Sequence, residues 1–548
     1  MVQTVIYAAR KIITMVPNRP EATHVAVRDG RVLAVGSLEE VSGWAESRSD
    51  DVRLDETFAE KVLLPGFVEG HAHMMAGGVW QFTYVGFEDR ISPDGVLWEG
   101  LKDIEAVTRR LRQIESELEP GAPLIAWGFD PIFLTAHRLN RFDLDEVTRD
   151  RPIAVIHSNF HLLTANSKAL EMAQYDRNTD VMGVDRGEDG EPTGELQEMA
   201  AMFPVMRRLK IDIRSLARTE GGIRAYGKVC HRSGVTTATD LINDLPLEDV
   251  ELMASITGEE SYPSRLVPVL NAHTGPAGEI AAQALALREK STDKLRLGSI
   301  KIITDGSIQG FTARMRWPGY YKGPDHGIWN IPPEQLMTTV ETLNAAGVHM
   351  HIHVNGDEAS EVTIEALAQA LRKNPNPDHR HVLQHCQLAD AAQFRKIRNL
   401  GLCVNLFANH IFYFGDKHYE LTVGPERAER IDACATALFE GVPLAIHSDA
   451  PVTPMGPLFT AWCAVNRVTP SGRILGAAER ISVEDALRAV TLGPAYTLHM
   501  DHEVGSIEVG KKADFAVLED DPLSVDPMTI KDIGVWGTVL GGRPQPIS

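Results

Sequence analysis

Eight short apolar runs, most of them separated by helix-like segments, constrain this chain's fold more than any other feature. They are VLLPGFVE (62–69), GVTTATDL (234–241), RLVPVLN (265–271), SIKIITDG (299–306), HMHIHVNGD (349–357), RHVLQHCQ (380–387), LCVNLFAN (402–409) and PLAIHSDA (443–450). Runs of this length, bounded by turn residues, read as buried strands. Between them lie Ala/Leu/Glu-rich stretches such as PEQLMTTVETLNAAG, EVTIEALAQALRK and DAAQFRKIRNLG, which carry a helical period. Such a strand–helix alternation predicts an α/β (β/α)₈ barrel of the TIM type, with its site at the C-terminal strand ends. An open doubly wound sheet is the alternative, but it does not bring eight strand ends to one centre. A length of 548 residues suits a large barrel with additions.

Both ends of the chain are strand-rich. VIYAARKIITM and HVAVRDGRVLAVG, with Asp29-Gly30 as a tight-turn dipeptide, lie at one end, and GSIEVGKKADFAVLED and GVWGTVLGGRP at the other. One small β domain built from residues 1–60 and 505–548 is expected, flanking a barrel over 61–504. From His73 to Val235 is 162 residues, against roughly 30 for one βα step. An insertion of about 90–220 is therefore expected, of the kind that forms lids or pocket walls.

The charge balance narrows the partners. Asp and Glu number 75 against 54 Lys and Arg, a formal charge of −21, which disfavours nucleic acid and anionic membranes. No apolar stretch reaches the length of a membrane span, and the N-terminus lacks a signal peptide's apolar core. The five cysteines, 230, 386, 403, 434 and 463, form no CxxC pair. That argues against a disulfide framework and for a cytoplasmic location. A homodimer is the default assembly.

Chemistry-bearing residues recur at the strand ends. The first run leads into His71-Ala72-His73, the fourth contains Lys301, the fifth His351 and His353, the sixth His385 and the eighth Asp449. In an extended strand residues i and i+2 point the same way, so His71 and His73 present adjacent imidazoles. Imidazole and carboxylate are ligands zinc accepts, with one position left open for water in catalytic sites. A divalent ion brings water's pKa near 7, and Asp449 beside it can take and return a proton. Lys301 lies in an otherwise apolar strand, Ser299-Ile300-Lys301-Ile302-Ile303. Burial disfavours its ammonium form, and a neutral amine can add carbon dioxide to give an anionic, bidentate carbamate between two metals. The competing reading is a salt bridge to Asp305.

These motifs resemble the amidohydrolase superfamily, in its amidohydrolase-3 branch that includes N-substituted formamide deformylases. The resemblance runs through LPGFVEGHAH, HLLTANSKAL (161–170), EPTGELQE (191–198), KIITDGS (301–307), HIHVNGDEA (351–359), QHCQLAD (384–390), HSDAPVTPMGPL (447–458) and GSIEVGKKADFAVLEDDP (505–522). It implies a metal-dependent hydrolase, usually of zinc, on a distorted barrel with a composite β-sandwich. Carried over by position, His71, His73, Lys301, His353, His385 and Asp449 form the metal shell, with Lys301 the carboxylated bridge of a two-metal site. His161, Asp305, Asp357 and Gln387 match further motif positions suited to outer-sphere or substrate contacts. Glu195 and Glu198 match an acidic motif in the insertion, which would let Glu198 reach the metals. The chain departs from the branch at Phe311, where Arg is frequent, at Glu358, and at His447, where Gly is usual. Phe311, with Trp80, Trp127 and Phe129, would make a pocket wall more apolar.

Together these features predict a metal-dependent hydrolase of C–N bonds other than peptide bonds, acting on a small amide through metal-activated hydroxide. Two Zn²⁺ per chain are expected, with Mn²⁺ or Fe²⁺ also compatible with an N/O ligand set. The alternatives are a mononuclear deaminase, a cyclic amide or carbamate hydrolase, and a non-catalytic metal-binding scaffold. The scaffold reading expects a missing ligand, and every position of the shell is filled.

Overall fold

The computed structural model describes residues 3–47, 51–134, 137–324 and 326–547. The chain divides into two compact units. One comprises Met1–His73, Gly227–Ala450 and Met455–Ser548, the other Met74–Tyr226 with Pro451–Pro454.

The first unit contains an eight-stranded parallel sheet: β1 (Phe67–Glu69), β2 (Val235–Asn243), β3 (Arg265–Asn271), β4 (Ile300–Ile303), β5 (Met350–Val354), β6 (Val382–His385), β7 (Cys403–Leu406) and β8 (Leu444–Ile446). Neighbours in sequence are neighbours in space from β1 to β8. Helices such as Leu247–Gly258, Ala277–Arg288, Pro333–Ala345, Asp357–Lys373 and Ala391–Leu400 connect successive strands. Each strand is buried along most or all of its length, as expected where helices cover a parallel sheet. The sheet curls until its two edges meet beyond the ends of β1 and β8. There Ala72 bridges Ala450 in parallel, with His73 N–H donating to Ala450 O at 2.8 Å and Asp449 N–H to His71 O at 3.1 Å. Below that junction the β1 edge is taken up differently, Val68 N–H bonding Val490 O.

The run at 62–69, read above as one strand, is two. Val62–Pro65 closes a long strand, Val52–Pro65, of a separate seven-stranded sheet, and Phe67–Glu69 begins the barrel. Gly66 makes the transition. A Cβ there would stand 2.0 Å from Thr236 Oγ1, so only glycine allows β1 to approach β2 this closely.

The seven-stranded sheet interleaves both ends of the chain, in the order 543–546, 535–540, 515–518, 52–65, 4–13, 21–28, 31–36. The hairpin between its last two strands turns at Asp29 and Gly30, both with positive φ (52° and 70°), as a type I′ turn requires. Tyr7, Ile12, Val25, Phe58 and Leu63 pack with Phe515, Val517 and Val539 in one apolar cluster. A buried ion pair ties this sheet to the barrel: Arg265 at the start of β3 donates to Asp514 Oδ2 at 2.6 Å.

The second unit carries its own six-stranded sheet, including Leu124–Phe129, Ile153–His157, Leu162–Ala165 and Pro192–Gln197. Trp127 and Phe129 are fully buried in its apolar clusters, and Trp80 packs edge-on against Trp127 at 5.2 Å. Trp127 and Phe129 are core residues, which corrects their reading as pocket wall. No helix among the described residues is long and apolar enough to cross a membrane. All five cysteines are buried and none forms a disulfide.

At the N-terminal ends of β5 and β6, away from the strand ends that carry the candidate site, His349, His379, His381 and His499 cluster. His349 lies 4.9 Å from His499 and 6.1 Å from His381, and His379 lies 4.5 Å from His381. Burial pushes His349 down to about 3 and His381 well below its usual value, and their mutual repulsion adds to it. The unfolded chain takes up protons below about pH 6.5 and the folded one does not. The stability these groups support is therefore complete above that pH and is lost as pH falls toward 3. Unfolding free energy should drop by about 1.4 kcal/mol per pH unit for each such histidine. Urea titrations between pH 7.5 and 5 check this, and a flat profile would contradict it.

Candidate metal centre at the barrel mouth

β1 runs through Gly70 into His71 and His73. The carboxylate Oδ1 of Asp449, three residues beyond β8, stands 3.3 Å from His71 Nε2 and 3.2 Å from His73 Nε2. His385, the last residue of β6, has its ring 4.4 Å from that of His71 and its Nδ1 3.8 Å from Asp449 Oδ2. Among the described residues, two sets of donors lie close enough to share an ion, His71 with His73 and Asp449, and His71 with His385 and His447. Several donor atoms here are buried without a hydrogen-bond partner: Lys301 Nζ, His73 Nδ1, His385 Nδ1, Asp449 Oδ1 and both ring nitrogens of His447. Buried polar atoms are rarely left unpaired. A cage of orphaned nitrogen and oxygen donors fits a divalent metal ion.

The backbone is strained at two of the candidate ligand positions and at the residue after His385. His385 (φ 68°), Cys386 (φ 48°) and Asp449 (φ 51°) all adopt the left-handed region, which costs a non-glycine residue roughly 1–2 kcal/mol. Such outliers cluster where function requires the geometry.

Electrostatics follow from burial. Burial lowers Lys301 to about 7, with the nearby Asp449 opposing it, so a sizeable fraction of the amine is neutral at physiological pH. Lys301 is 2% exposed and forms no salt bridge to Asp305. Asp305 instead accepts from the backbone N–H groups of Arg314, Asn355 and Gly356 at 2.8–3.0 Å. Burial alone would raise Asp449, but the close approach of His73 and the fields of His73, His447 and Lys301 hold it below the ordinary carboxylate value. His71 and His385 are driven well below 6.5 by burial and by neighbouring cationic forms, and His447 to about 3 by burial. All three are neutral imidazoles, the form that ligates metals.

Two residues not singled out in the sequence hold this cage. Gln384 Oε1 accepts from His71 Nδ1 at 2.8 Å and from Asn405 Nδ2 at 3.0 Å, while its Nε2 donates to His351 Nδ1 at 2.8 Å. That fixes the His71 tautomer with its Nε2 lone pair toward Asp449. Glu69 spans the barrel seam, accepting from Ser448 Oγ at 2.8 Å and from His71 N–H at 3.3 Å. Burial raises it to about 8, against the pull of its Ser448 bonds. Replacing Gln384 by Leu should weaken metal affinity about 10–100-fold, read by chelator competition; unchanged affinity would remove Gln384 from this role.

The other expected residues fall in several places. His353 lies 4.5 Å ring to ring from His385, but its Nε2 faces Gly306 O at 3.1 Å and Asp305 at 3.6 Å. Asp357 begins the helix after β5 and accepts from Arg316 N–H at 2.9 Å. Gln387 is buried beyond β6, its carbonyl accepting from Asp432 N–H. Phe311, at φ 58°, packs against Tyr320 at 5.1 Å among Ile308, Ala313 and Met315. In the second unit, His161 Nδ1 pairs with Glu198 Oε2 at 3.0 Å, and Arg138 with Glu195.

The profile of the amidohydrolase family matches residues 59–545. The chain is 26% identical over 552 residues to Protein LONG AFTER FAR-RED 3 of Arabidopsis thaliana, covering 97% of this chain and 90% of that one. It is 25% identical over 544 residues to the N-substituted formamide deformylase of Arthrobacter pascens, covering 95% and 94%. Among solved structures, a metal-dependent hydrolase of uncharacterized function from Pyrococcus horikoshii OT3 superposes with a TM-score of 0.73 at 20% identity, over 96% of this chain and 99% of that one. That likeness speaks for the fold.

Proposed function

This chain belongs to the amidohydrolase family, and on that premise we propose that it hydrolyses the C–N bond of a small amide at the mouth of the barrel. The observation that carries the reading is the meeting of His71, His73, His385 and Asp449, drawn from β1, β6 and β8, around unpartnered donor atoms. These residues would hold divalent metal, zinc by preference, with Lys301 as a carboxylated bridge if two ions bind. A bound ion supplies Lewis acidity, polarising a carbonyl oxygen and lowering the pKa of water.

The chain's own groups do the rest. Asp449 is ionised at neutral pH, and its Oδ2 takes a proton from the attacking water. As the C–N bond breaks, the same carboxylate returns that proton to the leaving nitrogen. Gln384 holds His71 in one tautomer, and Glu69 keeps the seam beneath Asp449 closed. Small acyl groups on nitrogen are the first substrates to test, given the deformylase among the relatives. Five buried cysteines outside any disulfide fit a reducing compartment such as the cytoplasm.

A single-metal deaminase is the second reading, favoured by His71 standing in both donor sets. The two separate by experiment. Metal-free protein is reconstituted with zinc, with and without bicarbonate, and screened on N-substituted formamides, other amides, lactams, carbamates and ring amidines. The amide reading expects two ions per chain, bicarbonate-dependent recovery and amine release. One ion, indifference to bicarbonate and ammonia release from amidines would establish the second reading instead.

A further inference from the structure

We propose that His447 is itself a ligand of the metal centre, an inference that rests on the metal-dependent reading above. His447 directly follows β8 and is fully buried, yet neither Nδ1 nor Nε2 has a hydrogen-bond partner. A neutral imidazole carries one N–H and one lone pair. Leaving both unpaired in the interior costs a desolvation penalty at two atoms, which a native core does not carry without a partner.

The surroundings restrict what that partner is. The faces of the ring are covered: His71 stacks on it at 4.5 Å and 16°, and Phe407 at 4.7 Å and 28°. Only the ring edge, with its nitrogens, is free to meet another group. That edge has a nitrogen within 4.8 Å of donor atoms on both His71 and His385, and the His385 ring lies 5.0 Å away. One ring nitrogen on each of three buried imidazoles, next to β1, in β6 and after β8, thus lies within 4.8 Å of the other two. The polypeptide arranges this as it arranges the first pair. His447 and Asp449 are two residues apart after β8, as His71 and His73 are after β1. His71 and Asp449 are joined across the seam by a backbone hydrogen bond. One donor pair thus stands on each side of the barrel's closure, with the His385 ring 4.4 Å from His71 and 5.0 Å from His447.

The alternative is that His447 only fills space between His71 and Phe407. His447→Phe separates the two, because phenyl keeps the stack and removes both nitrogens. His447→Gly removes the ring and leaves room for added imidazole. Full-length wild type, both variants and a His71→Ala control are stripped of metal. They are then titrated with Co²⁺ and Zn²⁺ against a chromophoric chelator, and the visible spectrum of the cobalt form is recorded. Metal-free melting temperature reports folding. His447→Phe is expected to melt within a few degrees of wild type, to lose at least about tenfold in metal affinity, and to shift the cobalt bands. Imidazole is expected to restore affinity and bands to His447→Gly.

Wild-type affinity and spectrum in His447→Phe overturn the proposal alone and leave the metal-dependent reading standing. If the phenylalanine variant does not fold, the glycine variant decides: undiminished affinity with no response to imidazole overturns it. If wild type binds no better than His71→Ala, this proposal and the metal-dependent function fall together.

Discussion

Replacing Asp449 by Asn is expected to lower kcat by about 10²–10⁴-fold with the fold intact. Asparagine has the same shape and tolerates the left-handed backbone (φ 51°) that this position requires, so strain is not the cause of the loss. The change removes the anion that His71 and His73 face at 3.3 and 3.2 Å, and with it the group able to accept a proton from water and return it to nitrogen. Metal affinity should fall as well. Turnover is therefore compared at saturating metal, with bound metal measured on the same samples. The residual rate at full occupancy isolates the proton-transfer role. An Asn variant that is fully loaded and turns over at the wild-type rate would exclude Asp449 as the shuttle.

The largest effect on stability is expected at Asp514→Ala. Asp514 and Arg265 are both buried and pair at 2.6 and 3.2 Å. Asp514 also accepts from Gly541 N–H at 2.7 Å, and its own carbonyl accepts from Gly66 N–H. Removing the carboxylate strands a guanidinium in the interior. Asp293 contacts the same Arg265 at 2.9 Å but is itself mostly exposed, so it offsets only part of the loss. Breaking a buried pair from one side costs about 3–5 kcal/mol. Removing both partners, as in Arg265→Met with Asp514→Leu, should cost much less, because no charge is then left unpaired. Urea unfolding of the single and double variants measures the difference. A single variant within 1 kcal/mol of wild type would mean that Asp514 does not hold the terminal sheet to the barrel.

Particular residues show how much of this was legible in the sequence. Seven of the eight barrel strands fall on their apolar runs, because a parallel strand covered on both faces must be apolar throughout, though some, such as Ile300–Ile303 and Leu444–Ile446, fill only part of theirs. The exception, 62–69, is interrupted at Pro65-Gly66, a break signal that does not say the two halves belong to different sheets. Both sides of Gly66 are rich in apolar residues, and only tertiary pairing assigns them to different sheets. The gathering of His71, His73, His385 and Asp449 in one place was readable from residue type and strand-end placement. His447 stands two residues before Asp449, a spacing as readable in the sequence as that of His71 and His73. Gln384 and Glu69 were not readable, since their roles arise from side chains across neighbouring strands, which spacing along one strand does not encode. His353 shows the converse. Its place on β5 matches a ligand, while its Nε2 faces a backbone carbonyl.

The most direct test is a crystal structure of the zinc-loaded, active protein, read by anomalous scattering. The strongest peak is expected among His71, His73, His385 and Asp449, with nitrogen and oxygen donors at about 2.0–2.2 Å. An active preparation whose anomalous density avoids those four side chains would contradict the assignment of the barrel mouth as the catalytic metal centre.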